Sequence, residues 1–267
     1  MPALLLGGLA VTADSNATGA AQQRTDGAAQ PVKAPSLSLA PSVIMLTSRP
    51  GEAHTRMLRI TNGTGIPLAF ELVAQDVVVQ EGTRVFLPAG ETEHSAAATA
   101  VFSRREIVVP PGETASVDVT ITVPPSTAVR AIAAIFRGKT VVSRPGAVAM
   151  TASLGSLITF TLSSEFKIEA SPLEIGGQSN SANVSVSRWL KNTGLEPVIP
   201  SGAVAVMTRS GALVGKTPIE PQRLLPGERL RFVADCPAQL RSGSYRAVVS
   251  LQYEGRVITD TADFTIL

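Results

Sequence analysis

Apolar and polar residues alternate with a period of two over most of the chain, and the longest such run begins at Ala147. Its apolar positions are Val148, Met150, Ala152, Leu154, Ile158, Phe160 and Leu162. A period of two places successive side chains on opposite faces of a strand. Because strands typically end after about five or six residues, the run predicts a strand that either continues past the core of its domain or bends at Gly155.

Shorter runs of the same kind, separated by Gly, Pro, Asn and Ser, predict strands along the rest of the chain. They fall near 37–46 with a proline kink at Pro41, and near 54–62, 68–79, 107–109, 115–123, 129–136, 166–175, 184–190, 204–207, 230–233, 244–253 and 257–267. Long amphipathic helices are not evident. The pattern therefore predicts an all-β protein.

Three turn motifs occur twice, in the same order. Asn62 to Pro67 returns as Asn192 to Pro197, Pro111-Gly112-Glu113 returns as Pro226-Gly227-Glu228, and Arg130-Ala131-Ile132 returns as Arg246-Ala247-Val248. A repeat of about a hundred residues fits one immunoglobulin-like sandwich per copy. We therefore predict two tandem immunoglobulin-like β-sandwich domains, residues 36–163 and 164–267.

Two segments distinguish the first copy from the second. Residues 80–99 form an insertion rich in Gly, Glu, Ala and Thr, with Val85-Phe86-Leu87 as its apolar part, and predict either an extra hairpin or a mobile loop. Residues 137–146 predict a basic connecting loop that carries Arg137, Lys139 and Arg144. The first domain is therefore expected to be the one that binds a partner.

Residues 1–35 resemble a secretory signal followed by a flexible leader. An apolar run from Ala3 to Val11 precedes small residues and then a polar stretch rich in Ala, Gln and Gly. Nine apolar residues are too few to span a bilayer. We expect an exported protein, periplasmic or extracellular, whose mature chain has no integral membrane segment.

Composition narrows the classes of function. The formal net charge is +2, from 23 Lys and Arg against 21 Asp and Glu, which does not indicate nucleic-acid binding. Cys236 is the single cysteine, so no internal disulfide is possible, and Trp189 is expected in the core or between the domains. His54 and His94 are isolated from other ligating residues. We expect no cofactor, no metal and no enzymatic activity.

The first half resembles the PapD-like periplasmic chaperones of pilus assembly, which have two immunoglobulin-like domains. The resemblance rests on the kinked first strand, the strand that ends Leu58-Arg59-Ile60-Thr61-Asn62, the turn near Pro111, and the long alternating last strand. In that family the last strand of the first domain is lent to a pilus subunit that lacks a strand. The resemblance implies that Val148, Met150, Ala152, Leu154, Ile158 and Phe160 contact such a subunit by strand addition.

The chain departs from that family at two cationic positions. An arginine on the first strand and a lysine late in the last strand hold the subunit's terminal carboxylate in the family, whereas Pro41-Ser42 and Thr159-Phe160-Thr161 carry no cation here. The second half more closely resembles surface proteins that interact with WxL cell-wall proteins, in Asn192-Thr193-Gly194 and in the turn at Leu225-Pro226-Gly227. Strand addition is thus implied, but not this form of carboxylate anchoring.

Two hypotheses for function follow. The first is an exported, non-enzymatic, chaperone-like protein that binds a pilus or cell-surface subunit through the last strand of its first domain. The second is a structural or adhesive module of the cell envelope that binds protein or glycan through loops such as residues 80–99. A strand that only closes its own sheet would show the same alternation as a strand that binds a partner.

Overall fold

The computed structural model describes residues 36–139, 151–176, 183–237 and 240–266. The described part consists of strands, turns and one short 3₁₀ turn at Ala97–Thr99. The strands of the first sandwich are β1 (Leu37–Ala40), β2 (Val43–Thr47), β3 (Ala53–Asn62), β4 (Leu68–Gln80), β5 (Thr83–Pro88), β6 (Val101–Phe102), β7 (Glu106–Val109), β8 (Thr114–Thr122), β9 (Ala131–Lys139) and β10 (Leu154–Thr161).

The first sandwich packs one sheet of order β1-β3-β8-β6 against a second of order β2-β10-β9-β4-β5, with β7 also paired to β4. Alternate residues of each strand point into the space between the sheets. Phe70 and Phe136 meet there edge to face, with ring centroids 6.3 Å apart. The predicted proline kink is confirmed, because β1 pairs with β3 in one sheet and β2 pairs with β10 in the other, with Pro41 between them.

The insertion forms an extra hairpin, which was one of the two structures predicted for it. Strand β5 pairs with the second half of β4, and the turn between them contains Glu81 at φ 53° and Gly82 at φ 82°. Two successive residues with positive φ match the turns that join tightly connected antiparallel strands. The hairpin therefore widens the second sheet of the first sandwich by one edge strand.

The second sandwich repeats the two-sheet plan. Its strands are β11 (Ile168–Ala170), β12 (Glu174–Gly176), β13 (Asn183–Asn192), β14 (Ser201–Thr208), β15 (Leu213–Ile219), β16 (Arg229–Pro237), β17 (Gly243–Tyr253) and β18 (Arg256–Ile266). One sheet pairs β11, β12 and β16 with β13, and the other has the order β15-β14-β17-β18. The all-β fold with two immunoglobulin-like sandwiches is confirmed.

The repeated asparagine has the same role in both sandwiches. Asn62 is fully buried; its side-chain amide donates to the carbonyls of Ile66 at 2.8 Å and Val109 at 2.9 Å, and its Oδ1 accepts from the N–H of Thr64. One side chain thereby fixes the turn after β3 and ties it to β7. The hydroxyl of Thr64 also donates to Oδ1, at 2.6 Å, so four hydrogen bonds satisfy the full capacity of the buried amide.

Asn192 is also fully buried and makes the matching contacts. Its amide donates to the carbonyls of Glu196 at 2.8 Å and Leu224 at 3.0 Å, and its Oδ1 accepts from the N–H of Gly194 at 3.0 Å. The duplicated sequence motif is thus a duplicated hydrogen-bonding motif.

Candidate functional site

The candidate site is the half-paired edge of β10, the last strand of the first sandwich. Residues Leu154 to Thr159 pair with β9 in an antiparallel ladder. On the opposite side, parallel pairing with β2 begins only at Leu157. Within the residues that the structure describes, the stretch from Leu154 to Ser156 therefore pairs with a strand on one side and with none on the other, although β1 also contacts β10.

The backbone directions identify the group that faces the open side. Leu157 donates its N–H to the carbonyl of Ser42 at 2.9 Å, toward β2, whereas Phe160 donates to the carbonyl of Arg130 at 2.9 Å, on the β9 side. Backbone polar groups alternate between the two edges of a strand. Gly155 therefore directs its N–H and C=O toward the open edge, just before the residues of β10 that pair with β2.

Side chains along β10 change from accessible to buried in the direction of the chain. Leu154 is partly exposed, whereas Ile158 and Phe160 are fully buried in the core of their own sandwich. These two side chains are core residues, in contrast to the expectation that they contact a partner. Residues Ser156 to Phe160 are all buried, and Leu154 packs against the edge of the same core.

Ser156 is the polar residue among the inward-facing side chains of β10, which also include Leu154, Ile158 and Phe160. It is fully buried, and its hydroxyl has no hydrogen-bond partner in the described part of the chain. A buried hydroxyl without a partner costs about 1–3 kcal/mol. Polar Ser156 thus lies between Leu154 and Ile158 at the point where pairing with β2 begins.

The residues before β10 lie beside the end of β9. Ala152 is exposed, and the Oγ of Ser153 accepts a hydrogen bond from the N–H of Gly138 at 3.1 Å. The backbone of Ala152 lies so close to Gly138 that a Cβ there would overlap its carbonyl oxygen, so only glycine allows this approach. Residues 151–153 are outside the strand, which begins at Leu154. The predicted contact residues Val148 and Met150 lie outside the described residues.

The predicted basic loop is in part a strand. Arg137, Gly138 and Lys139 belong to β9, which corrects the predicted start of the loop, and Arg144 lies outside the described residues. Arg137 forms an ion pair with Glu71 at 3.5 Å, and Lys139 forms one with Glu106. Both cations are therefore neutralised by neighbouring strands instead of extending toward a partner.

Apolar side chains continue the candidate surface onto β2. Val43 and Met45 point away from the core and are 44% and 65% exposed. Deeper on the same outer face of the sheet, Leu157 and Ala133 are buried together with Leu225 of the second sandwich. The open edge is thus bordered by exposed apolar residues on one side and by the second sandwich on the other.

A cation that the sequence did not reveal lies beside β10. Arg223 of the second sandwich is half-buried and donates from Nη1 to the Oγ1 of Thr159. Burial first, and the nearby Arg84 second, lower the pKa of the Arg223 guanidinium. Thr159 is in the stretch where the sequence offers no cation, and the cation beside it comes from the second sandwich. No pattern in the sequence marks a contact between residues so far apart.

A buried ion pair joins the linker to both sandwiches. Glu196 is fully buried; it accepts from Arg130 Nε at 3.1 Å, from the N–H of Leu162 at 3.0 Å and from Ser163 Oγ at 2.9 Å. Several charge-assisted hydrogen bonds are what a buried carboxylate requires. The carboxylate thereby fixes the end of β10 relative to the second sandwich.

A second candidate is a groove beside the insertion hairpin. It has a volume of about 670 Å³ and lies between β4, β7 and the 3₁₀ turn, where Ala98, Phe102 and Arg105 contribute to its wall. In the described ranges no group of three or more His, Cys, Asp or Glu residues is arranged to hold a metal ion. No helix in that part of the chain is long and apolar enough to cross a membrane.

No family model matches the chain, and no curated protein sequence matches it. Among solved structures it is similar to the class 5 fimbriae chaperone CfaA, at 13% identity and a TM-score of 0.43, over 87% of this chain and 99% of that one. It is similar to a chain of the CsuC–CsuE chaperone and tip-subunit pre-assembly complex of Acinetobacter baumannii, at 9% identity and a TM-score of 0.42, over 85% and 97%. It is also similar to the E. coli chaperone DraB, at 12% identity and a TM-score of 0.39, over 86% and 98%.

Proposed function

We propose that the protein is an exported, non-enzymatic, chaperone-like protein that binds an extended segment of a pilus or cell-surface subunit by strand addition. The binding edge is the beginning of β10, in the first immunoglobulin-like domain, residues 36–163. In this proposal the protein acts in the periplasm or outside the cell and recognises a protein partner.

The observation that carries the proposal is the incomplete pairing of β10. A strand with unpaired N–H and C=O groups is a template for another chain, and main-chain hydrogen bonds then supply affinity while alternate side chains set the register. Gly155 faces the open edge, and β2 leaves that edge free before Leu157. An added strand would continue the sheet along the residues of β10 that β2 leaves unpaired.

Side chains around the edge define what the partner meets. Ala152 and Leu154 are accessible within the described residues, and Val148 and Met150 continue the same alternation in the sequence. Exposed Met45 adds apolar surface on β2. These residues favour a partner segment that presents apolar side chains at alternate positions.

Arg223 adds a charge requirement to this apolar surface. Its guanidinium has five N–H donors, and one of them is used by Thr159. The nearby Arg84 is paired with Glu228, and the charge of Glu254 offsets part of the charge of Arg223. The proposal therefore includes an anionic group on the partner, such as a chain-terminal carboxylate, that Arg223 binds at the inner end of the edge.

Site-specific photo-crosslinking in native envelope extracts tests the proposal. A photoreactive residue at position 154 is compared with one at position 108, where Val108 is equally apolar but 65% exposed on a different strand. We expect position 154 to capture a surface subunit through one extended peptide. Added wild-type protein should compete this capture away, whereas added L154E should not. Equal capture at both positions would contradict strand addition.

The groove beside the insertion supports the second candidate, a module that binds protein or glycan through loops. A photoreactive residue at position 98, on the groove wall, separates the two candidates. Capture of the same subunit from position 98 and not from position 154 would favour loop binding over strand addition.

A further inference from the structure

The loop Arg223–Glu228, here called the interface loop, lies between the insertion hairpin and β10. It contains the second Pro-Gly-Glu motif and leads into β16. In the first copy the equivalent Glu113 is exposed, whereas Glu228 is mostly buried, at 15% side-chain exposure. The repeated turn has therefore acquired contacts in the second copy that its sequence alone does not explain.

One side of the interface loop is held by Arg84 on β5. Arg84 donates from Nε and Nη2 to the two carboxylate oxygens of Glu228, at 2.8 and 3.1 Å. Nη2 also donates to the main-chain carbonyl of Arg223 at 2.6 Å. A planar guanidinium that binds both oxygens of a carboxylate fixes orientation as well as distance. Arg84 thus holds both ends of the loop.

The loop is also closed internally by the same carboxylate. Glu228 Oε2 accepts from the N–H of Leu225 at 2.8 Å, in addition to the contact with Arg84. Removing Arg84 would leave a mostly buried carboxylate with one main-chain donor in place of a full charge partner. A buried carboxylate without its charge partner is unfavourable, so the loop would rearrange to expose Glu228 to water.

The other side of the interface loop contacts β10. Arg223 donates to Thr159, and Leu225 packs on the outer face of the sheet against a cluster that includes Leu157. Leu157 and Thr159 are the first and third residues of β10 that pair with β2. The loop therefore touches β10 at the boundary between its paired and its open halves.

We infer that Arg84 is a positioning residue for the open edge of β10: through the interface loop, the insertion hairpin of the first sandwich holds the strand to which a partner would add. The insertion acts through the second sandwich, because Arg84 has no direct bond to β10 in the described residues. The consequence for partner binding rests on the proposed function, whereas the coupling itself exists without a partner. The sequence separation of Arg84 and Glu228, 144 residues, explains why the insertion's role is not visible in the sequence.

Amide hydrogen exchange on the full chain tests the inference without any partner. The reporter is the N–H of Leu157, which donates to Ser42, and the reference is the N–H of Asn62, which donates to Glu113 in the opposite sheet. We expect R84A to accelerate exchange at Leu157 about ten-fold or more and to leave Asn62 within about two-fold. R84K, which keeps the charge but not the paired donors, should lie between the two, and R105A, at an exposed arginine of the same sandwich, should change neither amide.

A double-mutant cycle with T159V shows whether the effect passes through the loop. T159V removes the hydroxyl that Arg223 contacts, so its effect on Leu157 exchange should be clearly smaller in the R84A background than in the wild type. Additive effects would overturn the inference, as would unchanged exchange at Leu157 or equal acceleration at Leu157 and Asn62. If the coupling is observed but position 154 captures no subunit, the inference stands and the proposed function fails; capture with no coupling gives the reverse.

Discussion

The last strand of the first sandwich lies between two neighbours, whereas the last strand of the second sandwich lies at the edge of its sheet. β10 joins antiparallel β9 to parallel β2, but β18 pairs with β17 along all eleven of its residues and, among the described strands, has no second neighbour in its sheet. The turns after β3 and β13 use the same asparagine chemistry in the two sandwiches. The difference arises at Pro41, where the first strand leaves one sheet for the other and covers only part of β10.

The two halves of β10 should differ most in their effect on stability. F160A should lower the free energy of unfolding by about 3–5 kcal/mol, because the ring is fully buried. L154A should cost only ~1 kcal/mol, because that side chain is partly exposed and loses less transfer free energy. Chemical denaturation of both variants checks this. Equal losses would show that the beginning of β10 belongs to the core as fully as its end.

The two buried asparagines should be equally important if the sandwiches are equivalent at their turns. N62A and N192A each remove an amide that binds two main-chain carbonyls. We expect a loss of about 2–3 kcal/mol in each case, because buried carbonyls lose their donors. Denaturation curves of the two variants measure the comparison. A much smaller loss for one variant would mean that its sandwich forms the turn without the side chain.

Two serines near the open edge should respond in opposite directions. S156A removes a buried hydroxyl that has no partner, so it should raise the free energy of unfolding by about 1 kcal/mol. S153A removes the acceptor for the N–H of Gly138 and should lower it by about 0.5 kcal/mol. Thermal melts of the pair give the signs directly. A lower melting temperature for S156A would show that the hydroxyl is satisfied in solution.

The smallest effect is expected at the exposed edge of the second sandwich. The hydrogen bond from Arg246 lowers the pKa of the Asp263 carboxyl, and the charge of Arg246 contributes in the same direction. A lowered pKa in the folded state means that the stabilisation is present above the unfolded pKa and is lost as the pH falls through the folded one. D263N should therefore melt slightly below the wild type at neutral pH. The difference should disappear in acid, and a difference that grows in acid would contradict this sign.

The sequence predicted the parts of the fold that depend on neighbouring residues. The turns with Asn, Gly and Pro and the kink at Pro41 were correct, because backbone preference and alternation act locally. The hairpin was one of the two structures predicted for the insertion. Strand β15 was missed, since Gly215 and Pro218 interrupt its pattern, and a proline is tolerated there because β15 lies at the edge of its sheet.

The candidate site was only partly predictable for a related reason. Alternation marked β10 as a strand but could not show which of its edges is paired, because paired and free strands have the same period. Trp189 was expected in the core or between the domains. It is 39% exposed, with Arg229 stacked 4.8 Å from its ring centroid, because it falls on the outward-facing positions of β13. Arg84 and Arg223 act through contacts with distant parts of the chain, which no local pattern encodes.

The apolar cluster around Leu225 determines how the protein can be divided. A fragment that ends with β10 would place Val77, Ala131, Ala133 and Leu157 in water as one patch, since Leu225 belongs to the other sandwich. Contiguous apolar patches promote self-association, so such a fragment would aggregate or bind unrelated proteins. Truncation is therefore unsuited to assigning activity to one half, and point variants in the intact chain are the appropriate experiment.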